Sequence, residues 1–221
     1  LTGCAHLGLL IGRHTPLEAL GLIAELVKAA PDVRSALKLL SRYLTLSDGG
    51  GLATLSEDTR FASYAYALYE PGVERAEVVY DIVLASIWNI LRALCGSHWL
   101  PREIRFMRRR PPDTRPYRSF LRAPLRFDCD QSAAVFDKAW LDVPLRSADP
   151  QRLESLVARA RAIEAQATGE LPAQVRRVLR RQLLSAGTSM PQVAEERAMH
   201  RRTLDRRLPL PGTRLQALAH D

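Results

Sequence analysis

The sequence predicts an α+β domain, helices carrying a small antiparallel sheet, followed by an all-α helix-turn-helix segment. Three observations predict it. Apolar residues recur at helical spacing over 17–30, 33–44, 74–95 and 150–168. Between the second and third of these stretches the pattern switches to a period of two, with Leu52, Leu55, Phe61, Tyr64, Tyr66 and Leu68 alternating with smaller or polar residues. Past Gly169 helical patterns return, now with arginine-rich outer faces.

Residues 17–30 are apolar on nearly every side, as in a buried helix, and Pro31 stops the run. Asp32 is positioned as the N-cap of a second helix whose Val33, Leu37, Leu40 and Leu44 face inward while Arg34, Lys38 and Arg42 face water. The Gly49-Gly50-Gly51 run ends it and introduces a β-hairpin turning at Ser56–Arg60. Residues 74–95 form the longest helix, stopped by Gly96. Short strand-like runs follow at Ile104–Met107, Leu125–Phe127, Ala134–Phe136 and Trp140–Leu141, with a short helix around Tyr117–Leu121. Asp149 then caps a helix with Pro150 at its first position, whose Leu153, Leu156, Val157, Ala160 and Ile163 make a packing or dimer-forming face. A domain boundary is expected near Thr168-Gly169, dividing the chain into 1–168 and 169–221.

Composition narrows the function. The 221 residues are 47% apolar and 25% charged, which excludes a wholly disordered or collagen-like chain. Ser86, Asn89 and Arg92 interrupt the apolar run Ile82–Leu94, so no membrane anchor is expected. Cys4, Cys95 and Cys129 are too few and too scattered for a disulfide framework or zinc site; no metal or cofactor is expected, and a reducing cytoplasm fits. The chain opens at Leu1 without a methionine or signal-peptide pattern and reads as part of something longer. Its net charge of +8 concentrates in residues 102–127 and 151–221. In the first of these segments Arg108-Arg109-Arg110, bounded by prolines, reads as a solvated loop. In the second, the arginines sit on helix faces.

Ser189 and Gln192 have capping-box spacing, opening a short helix with Val193 and Ala194 inside. A break at Ala198–His200 leads into a second short helix over Arg201–Leu208, with Leu204 and Leu208 inside. Two short helices joined by a tight turn make a helix-turn-helix. The outward Arg201, Arg202, Asp205 and Arg206 suit DNA, because guanidinium forks fit guanine O6 and N7 and flanking arginines neutralise phosphates. Asp205 suits either a cytosine amino group or a neighbouring arginine.

The pattern Met190-x-x-Val193-Ala194-x-x-x-x-Met199-x-x-Arg202-Thr203-Leu204-x-Arg206-Arg207-Leu208, followed by Gly212-Thr213, resembles the first helix-turn-helix of AraC-type transcriptional regulators. Upstream, His6-Leu7-Gly8-Leu9, Ala36-Leu37-x-x-Leu40-x-Arg42-Tyr43, Leu91-Arg92-x-Leu94-x-Gly96, Ile104-x-Phe106, Pro116-Tyr117-x-x-Phe120 and Leu141-x-x-Pro144-Leu145 are similar to the subgroup with an arabinose-binding-type amino-terminal domain, which includes ornithine-utilisation and virulence regulators. The resemblance implies a non-enzymatic regulator: a homodimer that binds promoter DNA, responds to a small-molecule effector and contacts RNA polymerase. It implies DNA-binding roles for Arg201, Arg202, Thr203, Asp205 and Arg206. Arg197-Ala198 stands where the family has Leu-Gly, His200 replaces a serine cap, and Pro209 and Pro211 follow the second helix. These departures leave open an alternative, a ligand-binding or protein-interaction module whose helix-turn-helix has degenerated.

Two further clusters have bland readings. Cys95-Gly96-Ser97-His98 holds a thiol, a hydroxyl and an imidazole, the groups of nucleophilic catalysis, but reads as a helix end with its capping loop. Tyr64, Tyr66, Tyr69, Trp88 and Trp99 suit either a ligand pocket or plain core.

Overall fold

Helix α3 (Val33–Tyr43) forms where the cap rule places it: the Asp32 carboxylate accepts from the Ser35 N–H at 2.7 Å. Its Val33, Ala36, Leu37, Leu40 and Tyr43 are buried, while Arg34 on the outer side pairs with Glu57 and, at 2.7 Å, with Asp142. The computed structural model describes residues 4–46, 51–68 and 75–166. Residues 1–161 make up one compact unit.

The expected helix over 17–30 is broken. Leu17–Leu20 is a 3-10 turn, Gly21 takes φ +57°, and α2 (Leu22–Ala29) starts anew beyond it. Only glycine adopts that backbone conformation without strain, so the interruption is built in at Gly21. Helix α1 (Leu7–Arg13) precedes this region and was not expected as an element. It has no side-chain N-cap and carries two glycines, so its own propensity is poor. Packing supplies what propensity lacks: a Cβ on Gly8 or Gly12 would overlap the Val78 or Ile82 carbonyl oxygen of α4 (Ala76–Cys95), and would come within 2.8 Å of Asp81 Cβ or 2.7 Å of Ala85 Cβ.

The hairpin of β1 (Gly51–Glu57) and β2 (Phe61–Leu68) follows the period-two pattern, with Leu55 opposite Tyr64. The Asp58 carboxylate closes its turn by accepting from the N–H groups of Arg60 and Phe61 at 2.7 and 2.6 Å. The sheet has the order β1-β2-β5-β3-β4, where β3 is Glu103–Arg105, β4 is Leu125–Arg126 and β5 is Ser132–Asp137. It is mixed rather than antiparallel throughout, because β3 and β4 run parallel, joined through the short helix α5 (Arg115–Leu121). The central β5 buries every residue from Ser132 to Phe136. Trp140-Leu141, expected as a strand, lies in a 3-10 turn over Lys138–Asp142.

Helix α4 is the core helix. By length and a mean hydropathy of 1.6 it could cross a membrane, but Leu84, Ala85, Ile87, Ile90 and Leu91 are buried inside the unit. Gly96, at φ +91°, ends it as expected. Helix α6 (Pro150–Gln166) starts from Asp149, whose carboxylate accepts from the Arg152 N–H at 3.0 Å, and it buries Leu156 and Ala160. The Arg108 expectation is corrected. Arg108 is 13% exposed and paired with Asp81, itself 1% exposed; only Arg109 and Arg110 are exposed members of that run.

Candidate functional site

A cavity of about 300 Å³ lies between α3, the β1–β2 hairpin, α4 and the Thr15–Leu20 segment. Small-molecule pockets start at about this size. Leu40 and Leu44 form one wall, Ala53, Tyr64 and Tyr66 the sheet side, and Val83, Ser86, Ile87 and Ile90 the α4 side. The inward face of the hairpin supplies Ala53, Tyr64 and Tyr66 because Ala53 pairs with Tyr66 across the strands and side chains alternate. A Cβ on Gly51 would overlap the Tyr66 ring, so the glycine at the head of β1 gives this tyrosine its place.

The cavity's polar groups are few and largely engaged. Ser86 Oγ donates to the Ile82 carbonyl at 2.9 Å and Thr15 Oγ1 to the Ile11 carbonyl at 3.0 Å. The Tyr64 hydroxyl shares a 3.2 Å hydrogen bond with Ser41 Oγ, and its burial raises the phenol pKa so that it stays neutral. No carboxylate, ammonium, guanidinium or imidazole lines the cavity among the described residues.

Asn89 fixes the rim. Its side-chain amide donates to the carbonyls of Gly12, Arg13 and Thr15 at 3.0, 3.2 and 3.0 Å, tying the chain between α1 and the 3-10 turn to α4. Sequence reading took Ser86 and Asn89 only as interruptions of an apolar run; polar residues inside an otherwise buried helix were the available signal.

A second polar cluster sits under α1. Asp81 accepts from the Tyr117 hydroxyl at 2.6 Å and pairs with Arg108, which also donates to Tyr117 at 2.9 Å. Desolvation by burial raises the Asp81 pKa, outweighing the lowering by Tyr117 and Arg108. The cluster joins α4, α5 and the segment after β3, and it has the character of a structural tie.

The residues expected to contact DNA, Arg201, Arg202, Thr203, Asp205 and Arg206, lie outside the described residues, as do Tyr69 and the expected boundary at 168/169. Of the aromatic candidates, Tyr64 and Tyr66 line the cavity. Trp88 instead packs on Phe120 at 4.7 Å and donates to the Leu121 carbonyl at 3.0 Å, while Trp99 packs in the core against Phe136 at 5.9 Å. Burial pushes the Cys95 thiol up to about 12, which leaves it protonated and a poor nucleophile at neutral pH. Among the described residues no group of three or more His, Cys, Asp or Glu is placed to hold a metal ion.

Comparison with known proteins sets this site in context. The HTH-type transcriptional regulator VirS of Mycobacterium tuberculosis, from strains CDC 1551 / Oshkosh and ATCC 25618 / H37Rv, is 26% identical over 219 residues, covering 97% of this chain. The chain spans 64% of the length of these curated relatives. The crystal structure of transcriptional regulator CdpR from Pseudomonas aeruginosa matches with a TM-score of 0.64 at 19% identity, covering 99% of this chain and 72% of that one, a likeness of fold. VirS is named a transcriptional regulator, in agreement with the non-catalytic reading of the Cys95 loop. Residues 1–145 match the model described as the arabinose-binding domain of AraC transcription regulator, N-terminal. That match takes in the whole sheet, α1 to α5 and the cavity between them, and the chain belongs to this family of AraC-type regulator domains.

Proposed function

We propose that this chain is the effector-sensing part, with the first portion of the DNA-binding part, of a bacterial transcriptional regulator in the ornithine-utilisation and virulence subgroup. The observation that carries the reading is the cavity walled by α3, β1–β2 and α4, a mainly apolar site within a domain of this family. Residues 1–168 sense the effector and form a homodimer; residues 169–221 hold the first helix-turn-helix. Arg201, Arg202, Thr203, Asp205 and Arg206 face promoter DNA, and the regulator works in the cytoplasm, where it meets RNA polymerase. A coupling free energy between the ligand and DNA sites transmits the signal.

A gel shift of the full-length protein on its own promoter tests this. Affinity falls steeply with salt, as phosphate contacts require. The double substitution Arg202→Ala, Arg206→Ala weakens binding by about tenfold or more, since one good base contact is worth about 1–3 kcal/mol. Equal binding by the double variant refutes the recognition-helix assignment. Absence of DNA binding at low salt supports instead an interaction module with a degenerate helix-turn-helix, the alternative that Arg197-Ala198 leaves open.

A further inference from the structure

We propose that the cavity takes a neutral, mainly apolar molecule with one hydrogen-bonding end, an alkanol or alkylphenol in chemical class, and rejects both carboxylates and sugars. The proposal rests on the reading of this cavity as the sensing site. Three features of the lining carry it. First, the walls offer no cationic partner, and an anion buried without one loses far more solvation than it regains. Second, a pentose brings a ring of hydroxyls that each need partners, and it would meet Thr15 and Ser86, which already donate to helix carbonyls, and the Tyr64 phenol, engaged with Ser41. Each sugar hydroxyl left unmet in such a site costs roughly tenfold in affinity. The family is described by arabinose, but this lining lacks the carboxylates, amides and guanidinium groups that would satisfy one.

Third, two hydroxyls of the lining, Thr15 on the rim and Ser86 on α4, specify the polar end of the ligand. Ser86 Oγ and Thr15 Oγ1 each spend their proton on the backbone and present lone pairs, so they accept one hydrogen bond from a ligand O–H or N–H. The body of the ligand then packs on Leu40, Ile87, Ile90 and the Tyr66 ring. Apolar burial supplies the affinity and a single donor sets the orientation.

Isothermal titration of the 221-residue chain with butan-1-ol, pentan-1-ol, hexan-1-ol and heptan-1-ol tests the class, with heptanoate and L-arabinose as the charged and polar probes. Kd is expected to fall about fourfold per added methylene until the cavity is full. Heptanoate is expected to bind at least about tenfold more weakly than heptan-1-ol, and arabinose to give no saturable heat. Ser86→Leu, which fills the cavity from α4, abolishes alkanol binding. Ser86→Ala, which suits a helix and keeps the fold, weakens it several-fold by removing the acceptor. Heptanoate or arabinose binding as tightly as heptan-1-ol, and lost in Ser86→Leu, overturns the ligand class while leaving the sensing site in place. Alkanol binding unchanged in both variants, or no binding by any probe, overturns the proposal. Promoter binding by the full-length protein is measured separately, so the regulator reading stands or falls on its own.

Discussion

Replacing Asn89 by alanine removes the amide that holds the cavity rim. Three carbonyls, those of Gly12, Arg13 and Thr15, receive hydrogen bonds from its nitrogen, but an amide has only two protons, so one bond is shared. Two bonds at about 1 kcal/mol each give a loss of about 2 kcal/mol. The Gly12 carbonyl keeps the Thr15 N–H as a partner at 3.1 Å, which spares it the larger penalty of a buried orphan. For a chain of this size about 2 kcal/mol lowers Tm by about 4–8 °C. Urea unfolding followed by the fluorescence of Trp88, Trp99 and Trp140 gives the free energy directly, with Asn89→Asp as the comparison because it is isosteric but has no donor. Asn89→Asp is expected to lose at least as much stability as Asn89→Ala, because its carboxylate faces the same carbonyl oxygens, with the faster hydrogen exchange confined to residues 13–20. Stability within about 0.5 kcal/mol of the parent in Asn89→Ala, with unchanged exchange at the rim, refutes the clamp.

The other perturbations probe separate contacts. Gly12→Ala raises helix propensity by about 1 kcal/mol yet should destabilise the unit, because the new methyl meets the Ile82 carbonyl of α4; a net gain in thermal melting temperature contradicts the close approach of α1. Arg108→Ala leaves Asp81 buried without its cation and costs about 3–5 kcal/mol in urea unfolding, whereas Arg110→Ala, on the exposed side of the same run, stays within about 0.5 kcal/mol. Asp81 also makes stability pH-dependent. Its folded pKa is raised above the ordinary 3.8, so the native state holds the proton more tightly, and the contribution present below that value is lost as pH rises through the raised one. The difference in stability between the parent and Asp81→Asn should vary across that window, and a pH-independent difference contradicts the assignment. Cys95, pushed up to about 12 by burial, should react with iodoacetamide at pH 8 only after unfolding; rapid labelling in the native protein reopens the nucleophile reading.

What the sequence made legible was local. The Asp32 cap, the hairpin closed by Asp58 and the Gly96 stop each depend on neighbours within a few positions, and periodicity and turn chemistry find them. What it concealed depends on distant partners. Helix α1 exists through the fit of Gly8 and Gly12 against α4, some seventy positions away, and nothing in its own residues signals that. Leucines on every side of residues 17–30 hid the backbone reversal at Gly21. The parallel pairing of β3 and β4 involves strands of three and two residues, too short to carry a pattern. Arg108 read as solvated because its flanking residues are basic and proline, while its partner Asp81 lies on another element. At the candidate site, Tyr64 and Tyr66 were open between core and pocket, and they are both: buried residues whose faces line a cavity.

The central claim, that the space between α3, β1–β2 and α4 is a ligand site for a neutral apolar molecule, meets its most direct test in a crystal structure of the chain grown with hexan-1-ol. The account predicts alcohol density against Leu40, Ile87 and Tyr66, with the hydroxyl within hydrogen-bonding distance of Ser86 Oγ or Thr15 Oγ1. A cavity closed by its own side chains, with the alcohol bound elsewhere or not at all, contradicts it.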